Sequence, residues 1–184
     1  AVARPITPPV ATANKQRVAR RGPELFEAAR DGGVQLRFEA SVCGAIPVIK
    51  VLRESLVVTN VHRVLGIVNG TTNFILSEME GGHSYADALA EAQRLGFAEA
   101  DPTDDVAGFD AAAKMAILAT VAFGSRVPIE WVDVDGIEDV TDEVVAAARA
   151  MEMHVKLVGR ATLNGGRVDV RVGLLEGSAS RPKA

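Results

Sequence analysis

From 111 to 123 the chain reads Ala-Ala-Ala-Lys-Met-Ala-Ile-Leu-Ala-Thr-Val-Ala-Phe, apolar or threonine at every position except Lys114. A helix apolar on all sides is a buried one, so this run predicts a central helix carrying a single charge. Upstream, Asp101 followed by Pro102 reads as a helix N-cap with proline at the first helical position, where its missing N–H is no loss. Four segments have the periodicity or composition of strands. In 34–42, Val34, Leu36, Phe38 and Ala40 alternate with Gln35, Arg37, Glu39 and Ser41, the period of a half-buried strand. A β-rich run fills 57–68, and 154–162 and 167–175 flank Asn164-Gly165-Gly166 as the arms of a hairpin. Helical spacing predicts further helices over 23–30, 48–54, 71–79, 85–95 and 142–151. Gly32-Gly33 and Gly96 mark two of the ends, Ser84 with Asp87 resembles a capping box, and Thr141 can cap the last helix. Trp131 reads as a core residue. These elements predict an α+β fold, a mixed β-sheet packed against helices.

Composition narrows the partners. At 184 residues the chain suits one domain, or one domain and a fragment of another. With 48% hydrophobic but only 4% aromatic residues, the core is built from Ala, Val, Leu and Ile. A net charge of −4 argues against nucleic acid or an anionic membrane as the main partner. The longest apolar stretch, 115–123, is too short to span a bilayer, and the first nine residues lack a signal-peptide core. The single cysteine, Cys43, rules out an internal disulfide and suits a reducing compartment. Between Val42, Gly44 and Ile46 it reads as a small buried thiol rather than a nucleophile. The three histidines are scattered, and no Cys/His metal spacing exists. The expectation is a soluble, cytoplasmic chain.

Lys114 then becomes the chemical focus. An ammonium in an apolar helix must be paired, because burying a lone charge is prohibitive. Asp110 lies one turn before it, and Glu99, Asp101, Asp104 and Asp105 lie just upstream. Spacing alone leaves two readings, an ordinary ion pair worth ~0.2–0.5 kcal/mol or a functional site. After 57–68, Asn69-Gly70 precedes residues with helical spacing, so strand, tight turn and helix N-terminus is the better fit there. Helix N-termini present unpaired N–H groups and suit a carboxylate, which makes Gly70 and Thr71 candidate contacts. The competing reading has Thr71 or Thr72 as a simple cap.

The run Gly96-Phe-Ala-Glu-Ala-Asp-Pro-Thr-Asp-Asp-Val-Ala-Gly-Phe-Asp-Ala-Ala-Ala-Lys114 closely resembles the active-site signature of homoserine dehydrogenases. So do Gly66-Ile-Val-Asn-Gly-Thr-Thr-Asn73, Thr12-Ala-Asn-Lys15 and Phe38-Glu-Ala-Ser-Val-Cys-Gly-Ala-Ile-Pro47, in the family's order. The resemblance implies reduction of L-aspartate 4-semialdehyde to L-homoserine with NADP or NAD as cofactor, a step of threonine, methionine and isoleucine biosynthesis. It implies Lys114 as proton donor, and Asp110 as the group that orients it and contacts the substrate hydroxyl. Glu99, with Asp105, would hold the substrate ammonium. Lys15 would lie near the nicotinamide, and Gly96 would abut the cofactor. Without the resemblance Lys15 reads as a solvated lysine near Arg17, Arg20 and Arg21. The carbonyls of Glu39, Val42, Gly44 and Ile46 would hold a monovalent cation such as sodium, against the alternative of a plain strand-to-helix turn. Pairing of two domains through their sheets, as a homodimer, is also implied. Phe97 departs from the tyrosine of many members and removes one polar contact.

The Gly-x-Gly-x-x-Gly turn of a dinucleotide-binding unit does not occur. Residues 1–33 are therefore expected to be the remnant of the C-terminal edge of a nucleotide-binding domain. Residues 34–176 are expected to be the catalytic and dimerisation domain, and 177–184 a frayed tail. Little or no activity is expected of these residues alone. A non-catalytic dimerising or amino-acid-binding module is the alternative.

Overall fold

In a computed structural model, which describes residues 8–178, the apolar run forms α6 (Phe109–Phe123) at the centre of the molecule. Ala111, Ala112, Ala113, Met115, Ala116, Ile117, Leu118 and Ala119 are buried, and Lys114 alone among 110–119 keeps partial exposure. Asp101 lies one residue ahead of the N-cap of a different helix, and Pro102 takes that cap instead of the first helical position expected for it. The Asp101 carboxylate accepts hydrogen bonds from the Thr103 N–H (3.1 Å) and hydroxyl (2.6 Å), and the resulting α5 (Thr103–Val106) is one turn long. Gly108, at φ 82°, breaks the chain between the two, a conformation that glycine adopts without a Cβ clash. The break is enforced from outside: the Ile137 N–H donates to the Val106 carbonyl at 2.8 Å.

The helices pack on a four-stranded mixed sheet, β3 (Arg63–Gly66), β5 (Met153–Asn164), β6 (Arg167–Ser178) and β4 (Asp133–Val134) in spatial order. The β3–β5 and β5–β6 pairs are antiparallel, and β4 runs parallel to β6. Val155, Leu157 and Ala161 of β5 and Val170 and Val172 of β6 are buried, and α6 packs against both strands. Between them Gly159 lies under Met115, where a Cβ would fall 2.4 Å from Met115 Cγ. Glycine lets the central helix approach the sheet this closely. The alternation over 154–175 and the Asn164-Gly-Gly turn thus form the expected hairpin, extended to Ser178. Residues 177 and 178 belong to that strand rather than to a tail, and 179–184 lie outside the described residues.

Other expectations change at the N-terminal side. A short β1 (Val10–Ala11) pairs in parallel with β2 (Leu36–Arg37), so only two residues of the alternating 34–42 segment form a strand. Glu39–Ser41 is a 3-10 turn, and Cys43 and Gly44 follow in the left-handed region at φ 57° and 49°. Alternation there reports one buried face, which a tight turn supplies as well as a strand. The helix expected from Pro23 begins eight residues earlier: α1 spans Lys15–Asp31, capped by Asn14, and kinks at Arg21 ahead of Pro23. After α2 (Val48–Lys50) the chain runs into a π-helical turn, Val51–Ser55. In 57–68 only Arg63–Gly66 finds a partner strand, and Val57 and Val58 are exposed. Trp131 is not in the core: it is 67% exposed on the 3-10 turn Ile129–Trp131. The caps behave as read, with Ser84 opening α4 (Tyr85–Arg94) and Thr141 opening α7 (Asp142–Ala150).

A Cβ at Gly136 would meet the Val106 carbonyl oxygen at 2.3 Å and Ala107 Cα at 2.8 Å, both backbone atoms that cannot rotate away. Gly136→Ala is therefore expected to destabilise the fold by about 1–3 kcal/mol, the usual range for overpacking. Gly159→Ala, which presses on the flexible Met115 side chain, should cost less. Urea unfolding midpoints of the two variants measure the difference.

Candidate active site

Three distant parts of the chain converge at the start of α6. Asp110 sits in its first turn, where the helix dipole favours an anion, and is 3% exposed. Lys114, one turn on, places Nζ 2.6 Å from Asp110 Oδ2 and donates to the Val68 carbonyl at 2.8 Å. Lys15, the first residue of α1, places Nζ 2.5 Å from the other oxygen, Oδ1. Asn69 closes the group: Nδ2 donates to Asp110 Oδ2 at 2.9 Å and to Asp105 Oδ1 at 2.6 Å. Its own Oδ1 accepts from the Thr72 N–H at 2.8 Å, capping α3 (Gly70–Glu80). Two of the three N–H bonds of Lys114 are thus used inside the protein. Its side chain remains 17% exposed, which leaves a donor direction open to a ligand.

Burial alone would raise the Asp110 carboxyl pKa, but hydrogen bonds from Lys114, Lys15 and Asn69 outweigh it and hold the group below its ordinary value. The hydrogen bond to Asp110 raises the Lys15 ammonium above its ordinary value, against a smaller opposing effect of burial. Both charged forms are thereby favoured, so Asp110 and Lys15 stay ionised together at neutral pH. Burial pushes the half-buried Cys43 thiol up, which keeps it protonated and in line with an unreactive role.

Lys114, Asp110, Lys15 and Asp105 are therefore brought together. Thr71 is buried and its hydroxyl donates to the Phe97 carbonyl at 2.7 Å, tying the start of α3 to the 95–102 loop. It does not cap the helix, since Asn69 does. Gly70 is exposed as the first residue of α3. Gly96, at φ 78°, has open space where a Cβ would stand. Glu99 is exposed, and among the described residues its side chain makes no hydrogen bond or ion pair to the cluster. Phe97 packs on Phe74, with ring centroids 5.0 Å apart.

The loop expected to hold a cation is a turn around Cys43 and Gly44. The Glu39 carbonyl accepts from the Val42 N–H (3.3 Å) and the Ile46 carbonyl from the Val48 N–H (2.8 Å). Among the described residues no hydrogen bond reaches the carbonyls of Val42 or Gly44. The Glu39 carboxylate accepts from the Ile49 N–H at 3.0 Å, which stitches the turn to α2. No group of three acidic, histidine or cysteine side chains suited to a metal exists among the described residues. Sequence reading missed Asn69, whose signal was present in Asn69-Gly70 but pointed only to a turn.

Comparison with known proteins gives a consistent picture. The homoserine dehydrogenase family model matches residues 47–184. The chain is 48% identical over 164 residues to a homoserine dehydrogenase of Bacillus subtilis, covering 89% of this chain and 38% of that protein. It is 52% identical over 169 residues to one of Mycobacterium tuberculosis, again covering 89% and 38%. A crystal structure of a homoserine dehydrogenase from Thiobacillus denitrificans superposes with a TM-score of 0.90 at 45% identity, covering 95% of this chain and 41% of that one. A hyperthermophilic archaeal homoserine dehydrogenase in complex with NADPH superposes with a TM-score of 0.79 at 34% identity, covering 94% and 50%. The chain thus spans 38% of the length of these two curated relatives.

The ion cluster sets a pH dependence. A carboxylate held below its ordinary pKa of 3.8 contributes stability that is present above that pH and is lost as pH falls through the lower folded value. Below about pH 4 the thermal midpoint of the chain should fall steeply, and Asp110→Asn should flatten that limb. The same variant takes from Lys15 and Lys114 the carboxylate that both contact, so at pH 7 it is expected to cost roughly 3 kcal/mol. Thermal scans from pH 2 to 7 report both effects.

Proposed function

From the premise that this chain belongs to the homoserine dehydrogenase family, we propose that it forms the substrate-binding and catalytic part of an enzyme that interconverts L-aspartate 4-semialdehyde and L-homoserine, with NADP or NAD as cofactor. The reaction serves threonine, methionine and isoleucine biosynthesis, in the cytoplasm. The observation that carries this reading is Lys114, fixed on Asp110 and the Val68 carbonyl with one N–H direction left open. A non-catalytic module would have no need to keep two lysines on one buried carboxylate.

The nicotinamide, when bound, supplies the hydride to the aldehyde carbon. Lys114 delivers a proton from its open N–H to the oxygen on which negative charge develops, and recovers it in the reverse direction. Asp110, as the ion-pair partner, fixes the direction of that N–H. Among the described residues Asp110 Oδ1 accepts from Lys15 alone, so its second lone pair suits a contact to the substrate hydroxyl. The N–H groups of Gly70 and Thr71 at the start of α3 suit the substrate carboxylate. Glu99, exposed on its loop, and the oxygen of Asp105 not held by Asn69 suit the substrate ammonium. Lys15, with its side chain 35% exposed, and Gly96, with open space beside it, fit a nicotinamide arriving from outside these residues.

The carbonyls of Glu39, Val42, Gly44 and Ile46 fit a monovalent cation: two accept no other hydrogen bond among the described residues, and the others each have a second lone pair. Such an ion would brace the turn that leads into α2. For the homodimer, the support is the exposed apolar Leu65 on β3 and Ile67 just beyond it, since the opposite face of the sheet is already covered by α6. No helix among the described residues is long and apolar enough to cross a membrane.

Lys114→Ala in the intact protein, assayed for homoserine-dependent reduction of NADP or NAD, should lower turnover at least about a hundredfold while circular dichroism stays unchanged. Retained turnover would remove Lys114 as proton donor. Replacing choline chloride by sodium chloride at constant ionic strength should raise the thermal midpoint through binding to the native state alone. An equal midpoint in both salts would exclude the cation site.

A further inference from the structure

Resting on that reaction, we propose that Asn69 is a positioning residue: its carboxamide clamps Asp105 and Asp110 at a fixed separation and so sets the aim of Lys114. The orientation of the amide follows from its partners. The Thr72 N–H can only donate, so the atom facing it at 2.8 Å is the carbonyl oxygen of Asn69. The NH2 group therefore faces the acids, with one N–H for Asp105 Oδ1 (2.6 Å) and one for Asp110 Oδ2 (2.9 Å). Asn69 is 4% exposed, so water does not share this duty.

The preceding residue completes the grip. The Val68 carbonyl holds Lys114 at 2.8 Å while the Asn69 side chain holds Asp110. One dipeptide thus grasps both members of the ion pair, on the same Oδ2 atom that receives Lys114. Two carboxylates within reach of one nitrogen repel each other. The amide donors offset that repulsion and stop Asp110 from rotating off Lys114. Because Asn69 also caps α3, the helix start proposed for the substrate carboxylate is fixed by the same side chain as the proton donor.

Asn69→Asp and Asn69→Ser separate the clamp from the cap, since Asp and Ser are both good N-caps but neither carries the NH2 group. In the intact protein, Asn69→Asp should lower kcat at least about tenfold with KM changed less than about threefold. The third carboxylate raises the proton affinity of its neighbours, so the acid limb of the pH–rate profile should move up by about one pH unit. Asn69→Ser should lower kcat with a smaller shift of that limb. A wild-type kcat and pH profile in Asn69→Asp would overturn the proposal. Equal losses in both variants that follow their thermal midpoints, without a pH shift, would do the same and leave Asn69 as a cap only. Acid unfolding supplies a readout free of turnover: the midpoint pH should rise in Asn69→Asp above that of the wild type and of Asn69→Ser. If the wild type shows no homoserine-dependent activity the reaction is wrong, yet a raised acid midpoint still supports the clamp, and an unchanged one refutes it.

Discussion

One buried carboxylate organises this molecule. Asp110 receives Lys114, Lys15 and Asn69, and through them it joins α6, α1 and the turn between β3 and α3. Burying an ion alone is forbidding, and an ion pair is worthwhile only when its remaining lone pairs are filled. Here both oxygens are engaged, and Asp105 with Lys15 balances the remaining charge. A site so fully satisfied is rigid, and rigidity at the first turn of the central helix is what the proton donor proposed at Lys114 requires.

The fold gives that carboxylate its place through two close approaches. At Gly108 the chain turns in the left-handed region, so α6 starts afresh after α5 instead of continuing it. That restart places Asp110 in a first turn, beside Asp105 but not stacked on the same helix. At Gly159 the sheet comes up to Met115 without an intervening side chain. With α6 held from both its start and its sheet side, Lys114 can face only the strip between α1 and the β3–α3 turn.

Much of this was legible in the sequence, and the limits have physical causes. The apolar run with its solitary lysine placed the central helix and its ion pair, because full-turn spacing is a local property. The hairpin around Asn164-Gly165-Gly166 was readable for the same reason, as were the caps at Ser84 and Thr141. Lys15 was recognisable only by resemblance, since nothing in residues 10–20 says that its partner lies at position 110. Asn69 was missed as a ligand of acids because Asn-Gly carries a strong local meaning that masks a long-range one. The alternation at 34–42 and the β-rich stretch at 57–68 failed for the complementary reason. A strand needs a neighbour, and no short-range pattern reveals that Val57 and Val58 have none. Trp131 shows that a single large apolar residue need not be interior.

The spread of the cluster along the chain has a consequence for how it assembles. The β5–β6 hairpin can zip from its own turn, and α6 can coil unaided. By contrast, residues 15, 69 and the 105–110 segment meet only after two long loops have closed, and loop closure of that kind comes late on the route to the native state. Any ensemble member in which α1 is undocked lacks one lysine of the cluster, so the full set of contacts to Asp110 arrives together with the last tertiary docking step.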